Sequence, residues 1–454
     1  MNAVADRIHA LPQRYGRTTL IVLVAILVVG LGARAHVVVN PVENPADDSH
    51  AYYALAKALY EEGSYGGPGF DDASDWSPGA PLLYAASFYA TGGAREGTAR
   101  IVEALMGIAA ILVVFALANR LGGRLAGLLA AFAVAVYPPF IHSTGELMSE
   151  PPAVLTLPAA VLAFLWASER ERLRAWLLPG LLFGVTAMFR PEYLFVGVAF
   201  VALAGVSAGT AVGRAAGWRS GMAAAGLLAL ALLLPILPWT VRNVDVLDRV
   251  VPISTGSGKA LYVGTFLPAD GEYQRVKAIL VQRYQGRTLD PHSRALEEVD
   301  PAPLFDRVAA RYPDLPRDSA LGKVGKKNFD RYFGEDPLGY AGMTARKVGR
   351  MWSSGVGEAM SSGAGRAAQI LVVALGLAGL VLLGRRRSWW ELAAMATPIL
   401  VVTAIGAATL AAPRRNEVLM TLAFPLAALT LSRLTARLSS GREWSHGQAS
   451  SPPS

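Results

Sequence analysis

The sequence predicts an all-α polytopic membrane protein, with about ten transmembrane helices and one extracytoplasmic insertion. Three observations carry that prediction. Of 454 residues, 53% are hydrophobic and 17% charged, where a soluble domain carries about 25% charge. The apolar residues are clustered in runs of about 18 to 24, each long enough to cross a hydrocarbon core of about 30 Å. The loops between the runs alternate between arginine-rich and arginine-poor, as they do when a chain is threaded back and forth through a bilayer.

The expected spans are 18–36, 99–119, 124–141, 151–168, 175–189, 192–212, 221–241, 366–384, 389–411 and 416–433. The stretch 81–90 is too short to cross and reads as an interfacial or re-entrant helix. This divides the chain into a membrane part (1–241) with an outer loop at 37–98, an extracytoplasmic segment of 242–365, C-terminal membrane helices at 366–433 and a polar, disordered tail at 434–454. The mid-section 268–320 has little periodicity and reads as partly irregular.

The first run follows Arg7, Arg14 and Arg17, and Ala33-Arg34-Ala35 has the form of a signal-peptide cleavage site. The run is long for a signal peptide and arginine is unusual inside that motif, so the reading is an uncleaved first span with a cytoplasmic N-terminus. Alternation then places Arg120 and Arg124, Arg170, Arg172 and Arg174, Arg214 and Arg219, Arg385 to Arg387, and Arg433, Arg437 and Arg442 inside. The loop 37–98 holds nine Asp or Glu against Lys57 and Arg95 and falls outside. Both termini are expected in the cytoplasm of a multi-pass cell-membrane protein.

The formal net charge of +8 sits largely in those short loops, which fits membrane orientation and argues against nucleic acid as a partner. The absence of cysteine excludes disulfides, thiolate nucleophiles and cysteine metal sites. No internal repeat is visible, and apart from Pro158, Pro179 and Pro235 the spans are free of mid-membrane breaks, which disfavours a transporter or flippase of envelope precursors, the alternative function considered. A non-catalytic scaffold is the other rival, and would leave the first-loop aspartate replaceable.

Polar candidates gather at the expected outer ends of the spans. Asp47 and Asp48 precede an amphipathic stretch with His50, Tyr52 and Tyr53, where a carboxylate also serves as an ordinary helix cap. His142, Glu146 and Glu150 lie between the third and fourth spans, and Glu150 opens the fourth with Pro151 behind it. Arg190 and Glu192 sit between the fifth and sixth. Arg242, Arg414 and Arg415 likewise stand at outer edges, against the positive-inside preference. Snorkelling to headgroups accounts for any one of them. Four arginines at these outer edges, beside carboxylates, point together to an anionic ligand such as a lipid-linked phosphate, which the guanidinium fork suits.

In this order the residues resemble the GT-C superfamily of polyprenyl-phosphate-sugar glycosyltransferases. The resemblance is strongest to the branch of protein O-mannosyltransferases, aminoarabinose transferases and rhizobial galacturonosyltransferases. It is carried by Asp48 to Ala56, Gly63-Ser64-Tyr65, Pro78 to Pro81, Arg100, Ala135 to Pro139 before Glu150, Arg190-Pro191-Glu192, Pro238 to Asn243, and Ser254 to Gly258 before Leu261 to Gly264. It covers residues 18–265 well and the rest loosely.

The resemblance implies a GT-C fold, a polyprenyl-phosphate sugar donor and an extracytoplasmic glycan, lipid or protein acceptor within reach of the membrane lipids. It implies an inverting attack in which Asp48 or Asp47 is the base, with spacing to Tyr52 favouring Asp48. Arg190, Arg242 or Arg414 would hold the phosphate, with Arg415 and Glu192 beside them. Glu150 would support the acceptor or a metal. Some relatives use a divalent cation (Mg or Mn) and others do not; His50, His142, Asp48 and Glu150 are the residues it would find here, although their spacing does not demand one.

Overall fold

A computed structural model describes residues 16–42, 47–66, 73–206 and 218–447. The side chains of Asp47 and of residues beyond Leu438 are outside that description. Among the described residues all regular structure is helical. Helices of eight residues or more are numbered here in chain order. The first group is α1 (Arg17–Val39), α2 (Asp47–Glu61), α3 (Gly79–Thr91), α4 (Glu96–Gly122), α5 (Arg124–Val136), α6 (Pro138–Glu146) and α7 (Glu150–Ser168). Next come α8 (Leu177–Phe189), α9 (Tyr193–Gly205), α10 (Trp218–Leu233) and α11 (Ile236–Leu247). The segment that follows holds α12 (Ser257–Gly264), α13 (Tyr273–Gln285), α14 (Ala302–Ala309), α15 (Arg317–Glu335) and α16 (Pro337–Ser353). The last three are α17 (Gly363–Arg385), α18 (Trp389–Ala408) and α19 (Arg414–Gly447).

Six of these helices are long and apolar enough to cross a membrane, and eight crossings result if each of two bent pairs is one span. The expected ten differ from this for physical reasons. The third expected span is broken into α5 and α6, bent by 44°, at Pro138-Pro139. The seventh is broken into α10 and α11, bent by 49°, beside Pro235. Two shorter apolar helices, Leu173–Phe189 and Tyr193–Gly205, stand where the fifth and sixth spans were expected, and residues 207–212 of the sixth lie outside the described residues. The short stretch around 81–90 is the helix α3, with Tyr84 and Phe88 fully buried. The stretch 268–320 is more regular than its sequence suggested, since α13 and α14 fall within it and α15 begins there. The helix α19 continues to Gly447, past the expected end of the last span at 433.

Burial differs sharply among the long helices. The apolar windows of α7 and α19 are each 78% buried, whereas those of α1 and α17 are 22% buried. Thus α7 and α19 form the centre of the bundle, while α1 turns Ile21, Val24 and Val28 outward, the face a lipid-facing helix presents. Both central helices begin at the same end of the bundle, with Glu150 and Arg414. At the opposite end Arg120 pairs with Glu169 at 2.7 Å, and Arg386 donates to the Leu121 carbonyl. A second buried cluster, including Tyr262, Phe305 and Leu321, is built by α12 to α15.

The α5–α6 break explains a buried cation. Proline lacks an N–H, so Pro138 and Pro139 cannot satisfy the helical acceptors four residues earlier, Val134 and Ala135. Arg34 of α1, with no exposed surface, donates from Nη2 to Val134 O and from Nη1 to Ala135 O, each at 3.3 Å. The arginine that looked like part of a cleavage motif thus supplies the donors the two prolines remove. Arg34→Leu should strand two carbonyls in the bundle, at about 1–3 kcal/mol each. The expected result is a lower melting temperature in detergent, with Arg34→Lys intermediate; a Leu variant as stable as wild type would refute this account.

Candidate active site

The site is assembled from the beginnings of α2, α7, α9 and α19. Glu150 is the first residue of α7, only 1% exposed, where the helix dipole favours a carboxylate. The turn before it, Leu147 to Ser149, contains Leu147 at φ 54°, a left-handed conformation that a branched side chain adopts at a cost. Glu103 of α4 holds that turn: its Oε1 accepts from Met148 N at 3.0 Å and from the Tyr84 hydroxyl.

Arg414 and Arg415 open α19, where the dipole disfavours cations. They are compensated by carboxylates from three other elements. Arg414 Nε lies 2.6 Å from Glu150 Oε1 and its Nη2 lies 3.2 Å from Oε2, a two-pronged contact, while its Nη1 donates to Asp48 Oδ2. Arg190 Nη1 reaches Glu150 Oε1 at 2.5 Å, and Arg190 Nη2 lies 3.0 Å from Glu192 Oε1. Arg415 stands beside Glu192 and Tyr193, with its Nη1 buried and, among the described residues, without a hydrogen-bond partner. The order Asp48, Arg414, Glu150, Arg190, Glu192, Arg415 is a ladder of alternating charge.

Asp48 occupies the solvent end of this ladder, with its side chain 31% exposed. Among the described residues its contact is through Oδ2, which leaves Oδ1 as the oxygen that could accept from a ligand. Tyr52, one turn along α2, is buried against Trp76, and its phenol is pushed up to about 12 by burial first and then by the carboxylates of Asp48 and Glu150. It is a neutral hydroxyl at working pH.

The other expected site residues are placed apart. Arg242 donates to the Tyr65 carbonyl at 2.8 Å and stacks over Tyr65 and Trp239; among the described residues it forms no ion pair. Tyr53 donates to Ala94 O. His142 pairs with Glu146 at 3.8 Å on α6, and His50 is exposed on α2. The side chain of Asp47 lies outside the described residues. Among the described residues no three His, Asp or Glu side chains converge as metal ligands. Asp48 and Glu150 are bridged by Arg414, which a divalent cation between them would have to displace.

Two residues that the sequence reading did not single out belong to this region. Glu417, one turn into α19, is 2% exposed, with Oε1 unpartnered among the described residues. Lys259 of α12 lines a cleft with Asp75, Gly256, Arg317, Asp318 and Leu321. In that cleft Asp318 accepts from Lys259 N and Asp75 accepts from the Thr255 hydroxyl. Arg317 is paired with Asp306 at 2.8 Å. The Lys259 ammonium lies 5.6 Å and 5.4 Å from the ring centres of Tyr273 and Phe305 and makes no ion pair among the described residues. Burial lowers its basicity, while Asp75 and then Asp48 act to raise it. Its position next to the Ser254–Gly258 motif was the available signal.

The fold is thus a bundle of apolar helices with a charged cluster at one end. Residues 75–239 match the family described as dolichyl-phosphate-mannose-protein mannosyltransferase. Among solved structures the chain is similar to the oligosaccharyltransferase AglB from Archaeoglobus fulgidus, in complex with an inhibitory peptide and a dolichol-phosphate. That similarity has a TM-score of 0.56 at 13% identity, covering 98% of this chain and 53% of that one. The chain therefore spans about half the length of that relative. A further similarity is to ArnT from Cupriavidus metallidurans bound to undecaprenyl phosphate, at TM-score 0.37 and 15% identity, over 92% of this chain and 77% of that one. No curated protein matches the chain. The resemblance to the GT-C superfamily holds in the fold and in the matched segment, and the chain is a multi-pass membrane protein.

Proposed function

We propose that the protein is a membrane glycosyltransferase that moves a sugar from a polyprenyl-phosphate donor to an extracytoplasmic hydroxyl of an envelope glycan, lipid or protein. The observation that carries this reading is Asp48, a partly exposed carboxylate with one oxygen held by Arg414, at the bundle end where Glu150 and Arg190 also lie. In the proposed step the acceptor hydroxyl attacks the anomeric carbon from the face opposite the phosphate. The C–O bond to phosphate breaks, the phosphate leaves with the electron pair, the configuration inverts, and the hydroxyl proton passes to Asp48 Oδ1. The leaving group already carries its charge and needs stabilisation more than a proton. Lys259, which forms no ion pair among the described residues, is the cation we assign to the donor phosphate; Arg415 stands at the other end of the ladder. No step requires a metal, because Arg414 already holds the two carboxylates that would share one.

The test is transfer by the purified full chain in proteoliposomes, using labelled undecaprenyl- and dolichyl-phosphate hexoses and pentoses with envelope extract as acceptor. Label should move to envelope material from at least one donor; failure with every donor in the panel would remove the reading. With a working donor, Lys259→Ala should raise its apparent KM by about tenfold or more, since a charge-assisted contact contributes about 1.5–3 kcal/mol. An unchanged donor titration would remove Lys259 from the phosphate site.

A further inference from the structure

The segment that leads into Arg414 and Arg415 is fixed from behind by a buried lysine. Lys347 of α16 has no exposed surface and donates from Nζ to Gly264 O at 2.8 Å and to Thr409 O at 2.9 Å. Gly264 is the last residue of α12, and Thr409 is the C-cap of α18. A lone ammonium therefore stands between the negative ends of two helices, which replaces the carboxylate partner a buried cation ordinarily requires. The two helix ends are in direct contact: a Cβ on Gly264 would fall 2.1 Å from the Thr409 carbonyl carbon. Neighbouring contacts tighten the same joint. Arg346 and Arg350 of α16 both bind Asp270, just after α12. Asn416 of α19 donates to Met351 O and Ser354 O at the end of α16.

We infer that Lys347 is a positioning residue: through Thr409 it sets the approach of the 409–413 connection, and so the placement of Arg414 against Asp48 and Glu150. The helices of 257–353 are then a buttress for the charged centre. This rests on the proposed transferase reading only where transfer is the readout.

Lys347 is also a titratable joint. Burial, with Arg415 and Arg350 nearby and Asp270 opposing, lowers its ammonium to about 8. Because that lies below the ordinary lysine value, folding disfavours the proton, and the penalty is present below about pH 8. Stability should therefore rise as pH passes from about 8 towards about 10.4. The charge that holds the two carbonyl ends is lost over the same window, so transfer should fall while the melting temperature rises. A lysine with a purely structural role predicts no such divergence.

The experiment pairs transfer kinetics with amide hydrogen exchange on the full chain, for wild type, Lys347→Met and Lys347→Arg. Met should speed exchange in 410–416 while α7 stays protected, and should lower kcat about tenfold with donor KM within about twofold. Arg, which retains the charge, should recover part of both. Exchange in 410–416 of Lys347→Met equal to wild type would overturn the inference whether or not sugar is transferred. Absence of transfer by wild type would instead strike the functional reading. If Lys347→Met does not fold, wild type alone decides: exchange in 410–416 must rise above pH 8 beyond its intrinsic pH dependence, and a flat corrected profile would overturn the inference.

Discussion

Asp48→Asn should fold, insert and melt like wild type, yet transfer sugar about 10² to 10⁴ times more slowly, the usual contribution of a positioned base. Asparagine keeps the size of the side chain, can still start α2, and retains an oxygen to accept from Arg414. It cannot take up the acceptor proton. Asp47→Asn, one residue earlier, is the control and should remain active. Measured with a working donor, equal rates for Asp48→Asn, Asp47→Asn and the double variant would take the first-loop aspartates out of the mechanism and leave Glu150 as the carboxylate to test next.

The second large effect is on stability. Glu150 accepts from both Arg190 and Arg414 while almost wholly buried. Glu150→Gln leaves two guanidiniums facing a neutral amide, and removing one partner of a buried ion pair costs about 3–5 kcal/mol. Glu192→Gln should cost less, because its side chain is 14% exposed and, among the described residues, it forms a close ion pair with one arginine, Arg190, where Glu150 forms two. Melting in detergent micelles ranks the two. If Glu150→Gln melts with wild type, the arginines find other partners and the ladder is not what holds the ends of α7 and α19 together.

Much of the fold was legible because membrane spans are long, apolar and bounded by charge. The starts of α7, α17 and α18 lie within a few residues of where hydropathy puts them. The breaks within the spans were not legible. Pro138-Pro139 and Pro235 are plain in the sequence, but whether a proline bends a span or breaks it depends on what satisfies the freed carbonyls, and Arg34 lies about a hundred residues away. The site was legible as a set and not as a geometry. Arginine at an expected outer edge, against the orientation rule, marked Arg190, Arg414 and Arg415, whose carboxylate neighbours are described above. The same signal marked Arg242, which instead stacks on Tyr65 and Trp239. The contact between Arg414 and Asp48 spans 366 residues of sequence, and no local pattern encodes it. Lys347 sits in a helix with Arg346 and Arg350 and reads as one more solvated cation; only the packing of two helix ends against it shows otherwise.

The ladder has a consequence for timing. Its three carboxylates, Asp48, Glu150 and Glu192, match its three guanidiniums, Arg414, Arg190 and Arg415, so at rest the array carries no net charge and exerts little pull on a distant anion. If Asp48 takes the acceptor proton, one carboxylate falls silent and the array becomes a monocation. That happens as the sugar–phosphate bond opens and negative charge accumulates on the departing lipid phosphate. The attraction is thus switched on by the reaction itself and switched off when the proton leaves, so the spent carrier is not held by the ladder after the product has formed.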